Sequence, residues 1–165
     1  MREILFRGKR MNNGEWVHGS YAYQYGCHQI LLEQTDGEYG FDNYHVDPDT
    51  VGQFTGLTDK NGKKIFEGDI VKCRHRVVRF YLEDIENINP RRSYGKETEE
   101  NDSYGFSCFY WRNYAVSFRD GCIRIQNGSD HHEIRANYIY NHAIEVIGNI
   151  HDNPELMEGG VEDGK

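Results

Sequence analysis

Eight histidines and four cysteines are the side chains best suited to chemistry in this chain, and their spacing gives little support to any reaction. The tightest groupings are Cys27-His28, Cys73-x-His75 and His131-His132-Glu133. Successive residues of a strand point to opposite faces, so His131 and His132 cannot share one ion on regular backbone. Cys73 and His75 do share a face and would supply two of the four ligands zinc takes, but no spacing names the other two. Cys27, Cys73, Cys108 and Cys122 contain no CxxC pair, which removes the zinc-finger and thioredoxin patterns. An HExxH motif, a nucleophile elbow and a phosphate-cradling glycine loop are all missing from the sequence. The expectation is a chain with no catalytic residue, no cofactor and no metal, and hence not an enzyme.

Two other groups of residues suit binding better than catalysis. Arg74, His75, Arg76 and Arg79 form a basic cluster, and Tyr104, Phe106, Phe109, Tyr110, Trp111 and Tyr114 form an aromatic run. Arg74, Arg76, Arg79, Phe109, Tyr110, Trp111 and Tyr114 therefore make a candidate binding surface, since exposed rings grip peptides or unstacked bases. The bland reading of the same rings is a core plus an interface for self-association. Charge weighs between partners. With 27 acidic against 19 basic residues and a formal charge of -8, the mean field of the surface repels phosphate backbones. A protein partner or a second copy of the chain is the leading expectation, and a single-stranded nucleic-acid-binding module is the alternative that the net charge disfavours.

Short strands must position these residues. Twelve Tyr and 8 Phe favour strands, and 18 Gly with only 3 Pro provide many tight turns. Asn13-Gly14 predicts a two-residue hairpin turn that sets Met11 opposite Trp16 and brings Phe6 to Tyr21. Asp120-Gly121 predicts a second hairpin, with Phe118 opposite Ile123 and Val116 opposite Ile125, so that four apolar residues share one face. A third turn is expected at Lys60-Asn61-Gly62-Lys63, then a break at Glu67-Gly68-Asp69, a short strand at 70–73 and another at 143–150. Asn153, Pro154 and Glu155 mark the start of one helical turn carrying Leu156 and Met157. Helix is otherwise scarce. The charged stretch 83–103 reads as a long exposed loop or a disordered insertion, and 158–165 as a flexible tail. The opening residues have no apolar core of a signal peptide, and no stretch approaches the ~18 apolar residues of a membrane span, so a cytoplasmic protein with reduced thiols and no membrane partner is expected.

The segment TGLTDKNGKKIFEGDIV, Thr55 to Val71, resembles the central signature of the YopX family of phage and prophage proteins. REILFRGKRMNNGEWVHGSY resembles the family's N-terminus, VDPDTVGQFTG its lead-in to the signature, and EVIGNIHDNPEL its C-terminal close. The stretch from Arg74 to about Tyr114 departs from the family by its length. The resemblance implies a mainly β fold with an SH3-like small β-barrel over 51–157, interrupted by the insertion at about 83–103, and an additional N-terminal β subdomain over 1–50. It also implies a phage-derived accessory protein in the host cell, with a phage or host protein as partner, and it transfers no activity. Within the signature, Gly56, Gly62 and Gly68 are spaced like turn residues. Asp59, Glu67 and Asp69 stand where carboxylates accept backbone N–H groups, which marks the motif as fold-determining rather than catalytic.

Overall fold

The computed structural model of the protein describes residues 3–33, 41–79, 97–102, 105–119, 122–133 and 144–158, with side chains over 3–32, 42–74, 111–119, 122–133 and 144–158. Twelve strands carry the described fold: β1 (Phe6–Lys9), β2 (Trp16–Gln24), β3 (Cys27–Glu33), β4 (Phe41–His45), β5 (Gly52–Thr58), β6 (Lys64–Phe66), β7 (Asp69–Arg79), β8 (Glu97–Asp102), β9 (Gly105–Arg119), β10 (Cys122–Asn127), β11 (Asp130–Glu133) and β12 (Glu145–Asn149). A 3-10 turn at Pro48–Thr50 and a single helical turn, α1 (Glu155–Glu158), complete it. The scarcity of helix among the described residues and the turn carrying Leu156 and Met157 match the sequence expectation.

Among the described residues all pairing is antiparallel, in two sheets. The first has the order β4-β3-β2-β1-β5-β6 and crosses position 50, because Phe6 of β1 faces Gln53 of β5. The second has the order β11-β10-β9-β7-β12, with β8 also on β9. Neither closes into a barrel among the described residues. The nearest approach is in the first sheet, where the end of β4 curls back to β1: Arg10 bridges Val46, Met11 N–H donates to the His45 carbonyl at 3.0 Å, and Asp47 N–H to that of Lys9 at 2.8 Å. Glycine makes the curl sterically feasible. A Cβ on Gly19 would lie 2.2 Å from the Leu31 carbonyl oxygen, and one on Gly8 would lie 3.0 Å from Val46.

The hairpin at Asp120-Gly121 has the predicted register, with Phe118 facing Ile123 and Val116 facing Ile125; the two turn residues themselves lie outside the described set. At Asn13-Gly14 the structure corrects the expectation. Lys9 faces Trp16, Phe6 faces Gly19, and Arg10 N–H donates to the Glu15 carbonyl at 2.9 Å, so the loop between Arg10 and Glu15 is four residues long, Met11 to Gly14, and only Gly14 has positive φ. The Asn13 carboxamide is responsible: its Oδ1 accepts Glu15 N–H at 3.1 Å, while Gly14 N–H donates to the Arg10 carbonyl at 2.9 Å. The shift is by two positions, which leaves every residue on its predicted face, and Phe6 still meets Tyr21 with ring centroids 5.5 Å apart. In β12 the ladder slips between Val146 and Gly148, which makes Ile147 the extra residue of a bulge and explains the adjacent apolar pair there. Part of the expected insertion, Glu97–Asp102, is β8 on the flank of β9; residues 83–96, 103 and the tail from 159 lie outside the described residues.

The signature positions behave as expected. Gly56, Gly62 and Gly68 all have φ near +80°, at 83, 82 and 77°. Asp59 Oδ1 accepts the N–H groups of Asn61 and Lys63 at 2.8 and 2.9 Å, closing the turn, and Oδ2 reaches across to Val146 N–H of β12 at 3.1 Å. Glu67 accepts from Gln53 and Phe118, both at 3.1 Å. Asp69 accepts from Phe66 N–H at 2.8 Å and pairs with Arg7 at 2.6 Å. Between the sheets lies one core of Ile65, Val71, Cys73, Tyr114, Val116, Ile125, Ile144 and Val146, flanked by Leu57 and Ile123. Replacing Asp59 by Ala orphans three backbone donors, one of them fully buried, and is expected to lower the unfolding free energy by about 3 kcal/mol. Urea denaturation measures this; a loss below about 1 kcal/mol would show that the carboxylate does not tie β12 to the turn.

Candidate functional site

The sequence-predicted surface is divided by the β7–β9 ladder. Arg74 stands directly opposite Trp111, and Arg76 opposite Phe109 two positions on, in the same register parity. Arg79 and Tyr110 hold positions of the other parity, opposite Phe106 and His75. The side chains of Arg76, Arg79, Phe109 and Tyr110 lie outside the described ones. Tyr114 is a correction: it is 0% exposed, at the centre of the core, and its hydroxyl donates to Asp130 at 3.0 Å. Its parity is that of Val71 and Val116, which face the inter-sheet core, so it cannot join a surface built on Trp111. Around half-buried Trp111 the structure gathers cations from two elements, with the Lys60 ammonium 5.8 Å and the Lys72 ammonium 5.6 Å from the ring centroid. Lys60 is paired with Glu145 at 2.6 Å.

A second cluster escaped the sequence reading. β2 and β3 are joined by Tyr25-Gly26, between the facing residues Gln24 and Cys27, with φ of +52° at Tyr25 and +80° at Gly26. Positive φ at both central positions is the mark of a type I′ turn, which favours Asn or Gly at the place Tyr25 occupies. Tyr25 is 100% exposed and Tyr23 61%. Inward from the tip the rings form a series: Tyr23 lies 4.9 Å from His28, His28 Nδ1 is hydrogen-bonded to the Tyr21 hydroxyl at 2.8 Å, and Tyr21 packs on Phe6. The only sequence signal was the Gly after an alternating run, and the Tyr before it hid the turn.

A third cluster joins the chain's two ends. Arg7 donates to the Glu67 carbonyl at 3.0 Å, pairs with Asp69, and lies 4.6 Å over the Trp16 ring. Trp16 Nε1 donates to Asp152 at 2.7 Å, Asn149 does the same at 2.7 Å, and Lys9 pairs with that carboxylate. Those three donors hold the Asp152 carboxyl well below the usual range. Burial pushes Asp69 up more strongly than Arg7 and the Phe66 N–H pull it down. Burial, then Arg7, holds His18 below the ordinary imidazole value, with Lys64 adding to the effect and Asp69 opposing it. His151 is lowered by burial, Arg7 and Lys9 against Asp152 and Asp47. This is the chemistry of a structural joint, in which hydrogen bonds and ion pairs are made between chain segments.

Of the candidate metal ligands, the His75 side chain lies outside the described ones. Cys73 is sealed in the core, where burial pushes its thiol up to about 12, and His131 and His132 alternate between more and less exposed positions on β11. Among the described residues no group of three or more His, Cys, Asp or Glu side chains is placed to hold a metal ion.

Segments from the opening, the signature and the close of the sequence thus meet at the Arg7–Trp16–Asp152 joint. The match to the family described as YopX protein runs over residues 5–158 and so includes all three. The chain belongs to the YopX family. No curated protein matches it. In this YopX chain the joint has a defined pH response. A histidine whose folded pKa is lowered contributes stability above the unfolded value of about 6.5 and loses it as pH falls through that value toward the folded one. Asp69, raised, works in the opposite sense. The urea midpoint is expected to drop between about pH 7.5 and pH 6, and the drop to vanish in a His18→Gln, His151→Gln double variant. A midpoint that stays level or rises on acidification in the unaltered protein would refute this account.

Proposed function

We propose that this protein is a non-enzymatic, phage-derived accessory module that works in the host cytoplasm by binding a protein partner or a second copy of itself, with the β2–β3 tip as its point of contact. One observation carries the reading: Tyr25 is fully exposed on left-handed backbone. Holding a non-glycine residue there costs on the order of 1 kcal/mol, and the ring buries nothing within its own chain to offset that cost. The compensating contact is therefore sought outside the chain, where aromatic side chains are the commonest anchors of protein interfaces. Tyr23, largely exposed beside it, widens the anchor.

Membership of the YopX family supports the accessory role. The SH3-like relationship belongs to the same reading: residues of β5, β6, β7, β9, β10 and β12 enclose one small core, which is the packing such a module needs. No helix among the described residues is long and apolar enough to cross a membrane. Tyr25→Asn separates function from folding. It is expected to raise the unfolding free energy by about 1 kcal/mol, because Asn tolerates the turn, while abolishing association. Light scattering across a concentration series, with parallel pull-downs from host lysate using both proteins, reads the second effect. A strictly monomeric protein that retains nothing in a Tyr25-dependent manner would end the proposal.

A further inference from the structure

We propose that the partner at the β2–β3 tip is a second copy of this chain, joined by antiparallel pairing of the outer edge of β2 with the same edge of that copy about a two-fold axis at Tyr23. This rests on the reading of the tip as the point of contact and names its occupant. The argument begins with the main chain. Arg10 N–H donates to the Glu15 carbonyl at 2.9 Å, so Glu15 turns its main-chain groups toward the strand of Arg10, and in an antiparallel ladder every second residue after it does the same. Val17 and Gly19 face β1 in this way, and Tyr21 and Tyr23 turn theirs to that same side. Yet β1 begins at Phe6, opposite Gly19, and the chain before it leaves β2: the Leu5 carbonyl accepts Phe54 N–H of β5 at 2.8 Å, and Glu3 pairs with Lys64 of β6 at 2.7 Å. Among the described residues no strand stands beside Tyr21 or Tyr23 on that edge.

An open edge is a template for another strand, and proteins that keep one unpaired blunt it with charges or proline. This edge carries neither. No Asp, Glu, Lys, Arg or Pro occurs from residue 16 to residue 32, the longest run without formal charge in the chain. Its histidines are engaged within the fold, His18 against the Phe66 ring and His28 with the Tyr21 hydroxyl. Of the charged residues flanking it, Glu3 and Arg7 pair with Lys64 and Asp69, while Glu33 and Asp42 stand at the end of the β3–β4 ladder away from the tip. Neutrality selects the occupant. About a two-fold axis a residue meets its own kind, so a charge on this edge would face its like. A partner of different sequence could meet a charged edge with the opposite charge; a self-complementary contact between two chains of formal charge -8 requires the edge bare. With Tyr23 on the axis, the same register carries Tyr25 toward Tyr21 of the second copy, which gives its ring the cover it lacks in its own chain.

Sedimentation equilibrium of the full chain at about pH 8, where histidine is neutral, tests this together with amide hydrogen exchange read by NMR. A reversible dimer is expected, with a dissociation constant on the order of micromolar as a small interface gives. It is expected to tighten as salt is raised from about 50 to about 300 mM, because screening relieves the repulsion between two acidic bodies. The Tyr23 amide is expected to exchange more slowly as the dimer fills. Tyr23→Lys sets like charges face to face on the axis and is expected to weaken the dimer roughly tenfold or more with an unchanged circular-dichroism spectrum. Should it disturb the spectrum, the amide exchange of the unaltered protein decides alone. A dimer that salt loosens, or a Tyr23 amide whose exchange ignores protein concentration, would overturn the proposal. A monomer that retains a host protein through Tyr25 would overturn it and leave the tip as the point of contact, whereas a monomer that retains nothing would end both.

Discussion

The acceptance of backbone N–H groups by three signature carboxylates is the interaction on which the rest of this structure depends. Asp59 closes its own turn with one oxygen and holds β12 with the other. Glu67 spans from β5 to β9, and Asp69 ties the end of β6 to Arg7 of β1. Each acid thus joins elements that share no ladder at that point. A carboxylate is suited to this because its two oxygens accept several donors in divergent directions, and a hydrogen bond to a charged acceptor is stronger than one between neutral groups. Burial opposes the arrangement, as the raised Asp69 shows, and the Arg7 guanidinium is the compensating charge. Such a pair is not a source of large net stability, but removing one partner would leave the other buried and uncompensated.

The positions of these ties explain why the joint is an unpromising place for chemistry. Arg7 is committed to Asp69 and Glu67, and Asp152 to Trp16, Asn149 and Lys9. Side chains that must hold two sheets and both ends of the chain in register are not available to bind and release a ligand. The proposed recognition therefore falls at a position the fold does not need. Tyr25 fits that description because its ring supports nothing within its own chain.

What could be read in advance follows the range of each interaction. The β9–β10 register was legible because four apolar residues at alternate positions allow only one alignment. The β1–β2 register was missed by two because Asn-Gly is compatible with more than one loop, and the choice fell to the Asn13 side chain, which reaches Glu15. The role of the signature acids was legible from residue type and spacing. Tyr25-Gly26 was not, since a tyrosine in left-handed backbone contradicts its own propensity. The burial of Tyr114 and the apposition of Arg74 with Trp111 depend on a β7–β9 pairing across a long connection whose composition carries no period, and no local pattern encodes it.

The same distinction between local and global applies to charge. A net charge of -8 governs how the protein is approached from a distance and slows the encounter with any polyanion. It does not govern contact. At physiological ionic strength the field of a surface charge decays over about 8 Å, so a ligand already on the sheet is affected by the groups beside it and little by acids on other faces. Around Trp111 stand Lys60, Lys72 and Arg74 together with Glu145, and Glu97 of the neighbouring β8 holds a position of the same parity, so the two signs are interleaved there and the sum over the chain says nothing of their order. Average composition is a sound argument about the rate of association and a poor one about the chemistry of a site. That chemistry is fixed by which strands are neighbours, as the β7–β9 register does in setting Arg74 opposite Trp111.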